Sequence, residues 1–278
     1  MYKIVRREEL NPTVTSIDVL APLIAKKAEP GQFIIFRVDE DGERVPLTIA
    51  DFDRQAGTVR VIFQIVGKST AKLNALQEGD CICDFVGPLG VASHTEGLKK
   101  VAIVGGGVGC AIAFPVAKKI FSQGAEVDVI AGFRNKDLVI LEEEFSNNST
   151  RMFLLTDDGS AGEKGFVTSR LEKLLQAGEQ YDEVIAIGPL VMMRAVAELT
   201  KKYFIKTTVS MNPIMIDGTG MCGGCRLTVG GEVKFACVDG PDFDGHQVDF
   251  DEAIARASTY REQECAPGHE CNLLKEGK

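Results

Sequence analysis

Three cysteines and seven glycines fall between Asp217 and Gly240. No regular helix tolerates that much glycine, because each one costs about 1 kcal/mol against alanine in a helix interior. The segment is therefore not a regular helix, and the clustering of its cysteines suggests metal. Its spacing reads Asp217-x4-Cys222-x2-Cys225-x11-Cys237. Glycines at 218, 220, 223 and 224 let the backbone approach a ligand closely and adopt positive φ.

The spacing C-x4-C-x2-C with a distant fourth cysteine is the plant-type arrangement for a 2Fe–2S cluster. Here an aspartate stands first. A carboxylate can ligate iron, though as a harder donor than thiolate. The expected metal ligands are Asp217, Cys222, Cys225 and Cys237. On the residues alone other readings stay open. Cys222 and Cys225 could be a redox pair or half a zinc site, although zinc needs a fourth donor and the next histidine is His246. Asp217 could be a turn aspartate beside Gly218.

The chain carries 31 Lys and Arg against 40 Asp and Glu, a net charge of −9. Nucleic-acid binding needs clustered cations, so no nucleic-acid partner is expected. The N-terminal MYKIVRREEL has no apolar run and does not read as a signal peptide. The longest uncharged stretch, Val101 to Ala117, is short for a bilayer span and is broken by Gly105-Gly106-Gly107 and Pro115. A cytoplasmic protein without membrane contact is expected, and in that compartment its eight cysteines should not pair as disulfides.

Residues 1–97 read as all-β. Short β-branched runs at Gln32–Val38, Thr58–Val66 and Cys81–Val86 are separated by Pro30-Gly31, Asp41-Gly42, Ala56-Gly57 and Gly79-Asp80. One short helix is predicted at Ser69–Leu76. Cys81 and Cys83 alternate along their strand and are expected to pack on one face. Several short antiparallel strands in so few residues imply a small closed barrel.

The pattern changes at Leu98. A strand at Lys100–Val104 runs into the glycine turn and a helix at Gly109–Ser122. Further strands are expected at Glu126–Ala131, Arg151–Thr156 and Glu183–Ile187, with helices at Thr168–Gln176 and Leu190–Tyr203. This alternation indicates a doubly wound parallel sheet over residues 98–208. Residues 209–248 hold the cysteine loop. Residues 249–278 read as a helix and a polar tail, in which Cys265, Cys271 and His269 are read as a frayed end rather than a second metal site.

The turn Gly105, Gly106, Gly107, Val108, Gly109 follows a strand and opens a helix, where free amides and the helix dipole suit a pyrophosphate. It is not in strict G-x-G-x-x-G register, because residue 110 is Cys. Gly188-Pro189 follows another apolar strand at the same sheet edge. In the barrel, Arg44-Val45-Pro46-Leu47-Thr48 places a cation and a hydroxyl around a proline. Gly67-Lys68-Ser69-Thr70 offers small hydroxylated residues at a helix start. It is not a Walker A loop, since the upstream glycine position is Ile62.

Barrel, nucleotide turn and cysteine loop in that order resemble the ferredoxin–NADP reductase superfamily, in its branch of electron-transfer subunits. That branch includes the subunit of dihydroorotate dehydrogenase and the small subunit of NADH-dependent reduced ferredoxin:NADP oxidoreductase, also described as sulfide dehydrogenase. The resemblance implies a Greek-key FAD-binding barrel. Arg44, Pro46, Leu47 and Thr48 match its flavin motif, Gly67, Lys68, Ser69 and Thr70 its second phosphate-contacting segment. Ile65 and Val66 would lend backbone contacts to the flavin. Gly105 to Gly109 match its NAD(H) loop and Gly188-Pro189 the tail of a C-G-P motif, with Ile187 in place of the cysteine. Arg134 and Asp157 lie where NAD and NADP are told apart. The resemblance implies FAD, a 2Fe–2S cluster and NAD(H), and a larger FAD and iron–sulfur partner in a heterodimer that reaches ferredoxin and NADP(H). The dihydroorotate dehydrogenase subunits carry four cysteines in the loop, so Asp217 tilts the likeness toward the electron-bifurcating transhydrogenase. A dihydroorotate dehydrogenase subunit and a self-contained NAD(P)H:ferredoxin reductase remain as alternatives. No catalytic acid–base residue is expected, and the three histidines at 94, 246 and 269 are scattered.

Overall fold

The computed structural model describes residues 1–259. The first sheet contains β1 (Tyr2–Asn11), β2 (Val14–Leu20), β3 (Phe33–Arg37), β4 (Val45–Asp53), β5 (Thr58–Gln64), β6 (Cys81–Ile82) and β7 (Asp84–Leu89). A short helix α1 (Pro22–Ala25) follows β2, and α2 (Lys68–Ala75) follows β5. The strands are ordered β6-β1-β2-β5-β4-β3-β7 and all pairs are antiparallel. The edge strands β6 and β7 are consecutive in the chain, with Cys83 alone between them, so the sheet curls until it nearly closes. Period-two alternation fills the interior: Ile17 and Val19, Val59, Val61 and Phe63, and Ile34 and Phe36 are buried in one core.

The expected single strand at Cys81–Val86 is broken. Its first half pairs with β1 and its second half with β3, and the Cys83 amide donates to the Val38 carbonyl at 3.1 Å across the corner. A strand that changes partner cannot hold strict alternation. Cys81 and Cys83 are half-buried rather than in the core.

The second sheet contains β8 (Lys100–Gly106), β9 (Glu126–Phe133), β10 (Arg151–Thr156), β11 (Glu163–Lys164), β12 (Glu183–Ile187), β13 (Thr207–Ser210) and, after the hairpin β14 (Arg226–Val229) and β15 (Glu232–Phe235), β16 (Asp242–Asp244). Its order is β11-β10-β9-β8-β12-β13-β16, parallel except for the last pair. Val101 to Val104 at the centre are buried on both faces, as a covered parallel strand requires. Helices α3 (Gly109–Ser122) and α4 (Glu142–Asn147) cover one face, while α5 (Val167–Gln176) and α6 (Leu190–Lys202) cover the other. Strand order reverses between β8 and β12.

Asp242–Asp244 thus leaves the cysteine segment to extend the parallel sheet. The final helix α7 (Phe250–Ala257) is capped by Asp249, whose carboxylate accepts the Glu252 amide at 2.9 Å. Cys265, His269 and Cys271 lie outside the described residues. The barrel and the second sheet meet along a seam: Lys118 on α3 reaches Asp51 on β4 at 2.9 Å, the Val91 amide donates to Gly240 O at 2.7 Å, and Ser93 donates to Asp242 at 2.5 Å. No helix among the described residues is long and apolar enough to cross a membrane.

Candidate functional site

The cysteine loop leaves β13 and wraps back onto the barrel. Gly218 has φ +77, and a Cβ there would lie 2.7 Å from Leu89 and 2.8 Å from Ile35. Only glycine fits that left-handed turn against two barrel side chains. Gly220 and Gly223 also have positive φ, +81 and +68. The four expected donors come in two pairs. Asp217 receives the Cys222 amide at 2.9 Å and its thiol at 3.5 Å. The Cys225 and Cys237 sulfurs are 3.2 Å apart and buried.

The Thr219 amide, at 3.1 Å, and then the Cys222 amide hold Asp217 down to about 2, against partial desolvation. It is an anion at any physiological pH. Burial first, and the Cys225 thiol next, push the Cys237 thiol up to about 12, so a metal here must displace thiol protons. Among the described residues no three such donors are close enough to enclose one ion. Four donors on a glycine loop, three of them sulfur, fit the ligand chemistry of an iron–sulfur group.

The barrel motifs lie beside this loop. On β4, Pro46, Leu47 and Thr48 pair with Ile35, Ile34 and Phe33 on β3. Arg44, just before β4, donates through Nε to the Ile216 carbonyl at 2.8 Å. Ile216 immediately precedes Asp217, so the barrel cation touches the cysteine loop. Ile65 is half-buried, while Val66, Gly67 and Lys68 are exposed at the mouth of α2. Thr70 is buried and its hydroxyl is fully used: it accepts the Val66 and Gly67 amides at 3.0 and 3.1 Å and donates to Gly67 O at 3.0 Å. It shapes the turn rather than projecting from it. Ser69 donates to Glu43 at 3.0 Å, which draws the two barrel motifs together.

Gly105–Gly109 and Gly188-Pro189 face each other where the strand order reverses, the place at which open α/β sheets bind ligands. Gly105 and Ile187 are paired in register. A Cβ on Gly106 would meet Met192 Sδ at 2.5 Å, and one on Gly188 would meet the Gly106 amide nitrogen at 3.1 Å. Gly107 has φ +55 and Val108 caps α3. Cys110 is fully buried, and burial pushes its thiol up to about 12, which makes it packing rather than a redox thiol. Arg134 and Asp157 are exposed at the ends of β9 and β10, without side-chain partners among the described residues. The neighbouring Asp158 is occupied by the Ser160 hydroxyl at 2.6 Å and amide at 2.9 Å.

Sequence reasoning missed the residues that join these parts. Ile216 contributes only a carbonyl, Met192 only a sulfur wall, and Ser93 and Asp242 are far apart in the chain. None carries a local pattern.

A family model described as the iron–sulfur cluster binding domain of dihydroorotate dehydrogenase B matches residues 212–249. An uncharacterized protein in the adh 3' region of Clostridium beijerinckii is 53% identical, over 95% of this chain and 92% of its own length. The Thermotoga maritima homolog of the dihydroorotate dehydrogenase B (NAD(+)) electron transfer subunit is 45% identical, over 95% and 93%. A solved structure of NADH-dependent reduced ferredoxin-NADP oxidoreductase, concerned with flavin-based electron bifurcation, aligns with a TM-score of 0.91 at 42% identity, covering 95% of each chain. The nearly closed barrel, the doubly wound sheet and the iron–sulfur segment define an electron-transfer subunit of the ferredoxin-reductase type. The chain belongs to the family of dihydroorotate dehydrogenase B electron-transfer subunits and their homologues.

Proposed function

We propose that this chain is an NAD(H)-dependent flavin and iron–sulfur subunit that passes electrons to a larger flavoprotein, as in electron-bifurcating NADH-dependent ferredoxin:NADP oxidoreductase. The observation that carries the reading is the docking of the Asp217 loop on the barrel beside the Arg44–Thr48 segment, through Arg44 and the Gly218 contact with Ile35 and Leu89. When bound, FAD supplies the exchange between two-electron hydride chemistry and the one-electron chemistry of a 2Fe–2S cluster.

The chain's own residues bind and orient. Arg44 and Lys68 offer cations to a diphosphate, Thr48 a hydroxyl and Pro46 and Leu47 an apolar wall. The backbone of Ile65, Val66 and Gly67, held by Thr70, lines the other side with Ser69. Gly105, Gly106, Gly107, Val108 and Gly109 present helix-start amides to a pyrophosphate across from Gly188 and Pro189. Arg134 and Asp157 stand where an adenosine ribose would end. Asp157 opposes a 2′-phosphate and supports NAD over NADP. Asp217, Cys222, Cys225 and Cys237 would hold the cluster. No side chain is required to move a proton.

Ile214, Ile216 and Val238 are about half exposed around the loop, and Met221 is 88% exposed. Apolar groups around a metal loop suit a protein partner. The partner in this reading is a larger FAD and iron–sulfur subunit, through which ferredoxin and NADP(H) are reached. A second reading, partnership with a dihydroorotate dehydrogenase, is favoured by the family match over residues 212–249. Asp217 in the first ligand position favours the former. Anaerobic purification of the native complex tests both. Flavin and a two-iron cluster on this chain, with an attached flavoprotein that oxidises NADPH, are expected. An attached dihydroorotate-oxidising partner would replace the first reading with the second.

A further inference from the structure

We propose that Arg44 is a positioning residue that couples flavin occupancy to the geometry of the cluster loop. The inference rests on the functional reading above and goes beyond it, because it makes the two cofactor sites one cooperative unit.

A continuous run of contacts leads from the barrel to the loop. Arg44 Nε donates to Ile216 O at 2.8 Å. The next residue, Asp217, receives the Cys222 amide at 2.9 Å. Gly218 is wedged against Ile35 and Leu89, and Ile35 pairs with Pro46 two residues beyond Arg44. The loop is thus seated on the barrel by one directional bond at Arg44, just before β4, and one steric contact on the neighbouring strands β3 and β7.

A guanidinium donates in several directions from one rigid plane. Only the Nε edge of Arg44 is used, and its two terminal nitrogens have no partner among the described residues. The nearest carboxylate in sequence, Glu43, is engaged by Ser69 at 3.0 Å and does not pair with Arg44. A flavin diphosphate that takes the terminal nitrogens fixes the plane. A fixed plane aims Nε at Ile216 and holds the Asp217 backbone. Without the anion the Nε bond to Ile216 is the guanidinium's one anchor, and the Asp217 backbone is held less firmly. Lysine keeps the charge but, as a single point donor, cannot serve both directions.

The test measures iron extraction by a chelator from the full chain, with FAD bound and after FAD removal. Coupling of this kind makes each cofactor strengthen the equilibrium binding of the other by the same factor, and slower iron loss is its kinetic sign. In the wild type, FAD removal should speed iron loss by about 5-fold or more and change the EPR line shape of the dithionite-reduced cluster. In Arg44→Lys, loaded at an FAD concentration that saturates it by flavin absorbance, the flavin effect on iron loss should fall below about 2-fold. Equal rates of iron loss with and without FAD in the wild type overturn the coupling, and that arm needs no variant. An undiminished flavin effect in Arg44→Lys overturns the role of Arg44. A chain that takes up only one of the two cofactors overturns the functional reading and the coupling with it, whereas one that holds both without mutual effect overturns the coupling alone.

Discussion

Gly109 stands so close to Ile187 that a Cβ on the glycine would lie 2.5 Å from the Ile187 carbonyl oxygen and 2.7 Å from Gly188 Cα. Backbone, not a flexible side chain, occupies that space. Gly109→Ala must therefore push the start of α3 away from the end of β12. Overpacking of this kind costs about 1–3 kcal/mol. The variant should melt lower and bind NADH at least about tenfold more weakly, since 1.4 kcal/mol is a factor of ten. A fluorescence titration with NADH checks it, and unchanged affinity would remove the glycine turn from the nucleotide site.

Gly218→Ala carries two penalties. A left-handed alanine costs about 1–2 kcal/mol, and the added methyl meets Leu89 at 2.7 Å. The loop should lift from the barrel. Iron per chain and visible absorbance are expected to fall, while the nucleotide titration stays at the wild-type value.

Asp217→Cys replaces a carboxylate by a stronger electron donor. If Asp217 ligates iron, the midpoint potential should drop by on the order of tens of millivolts and the EPR spectrum should change, because ligand type sets the potential. A redox titration decides. An unchanged midpoint and spectrum would take Asp217 out of the ligand shell.

Thr70→Val leaves the Val66 and Gly67 amides without the hydroxyl that now lies at 3.0 and 3.1 Å. Loss of such a cap costs about 1 kcal/mol. Flavin should bind roughly fivefold more weakly by that figure, and Thr70→Ser should restore it. Recovery of free-flavin fluorescence on dilution measures both.

Lys100 first, and Arg151 next, hold the Glu179 carboxyl down to about 2 from an ordinary 4.5. Lys100 lies at 2.6 Å and Arg151 at 2.8 Å. A carboxyl depressed in the folded state adds stability that is complete above its unfolded pKa and is lost as the pH falls through the folded one. Glu179→Gln should melt below the wild type at pH 7. The gap should narrow between pH 4.5 and about 2. Parallel melting curves across that range check the sign.

Local pattern was enough for much of this protein. Short runs rich in β-branched and aromatic residues mark Phe33–Arg37 and Thr58–Gln64 as strands, and the glycine turn after Lys100–Val104 marks a strand entering a helix. The spacing from Asp217 to Cys237 points to metal, because ligand spacing is a property of one short loop. Such signals act within a few residues, and the chain displays them directly. The break at Cys83 was not legible, since it depends on a strand changing partners between β1 and β3. Nor was the buried hydroxyl of Thr70, whose partners are amides set by the turn. The bond from Arg44 to Ile216 spans 172 positions. Nothing in either segment encodes it, because a carbonyl is common to every residue. Only the seating of the C-terminal loop on the N-terminal barrel, through the packing of Gly218 against Ile35 and Leu89, brings the cysteine loop and the Arg44–Thr48 segment side by side.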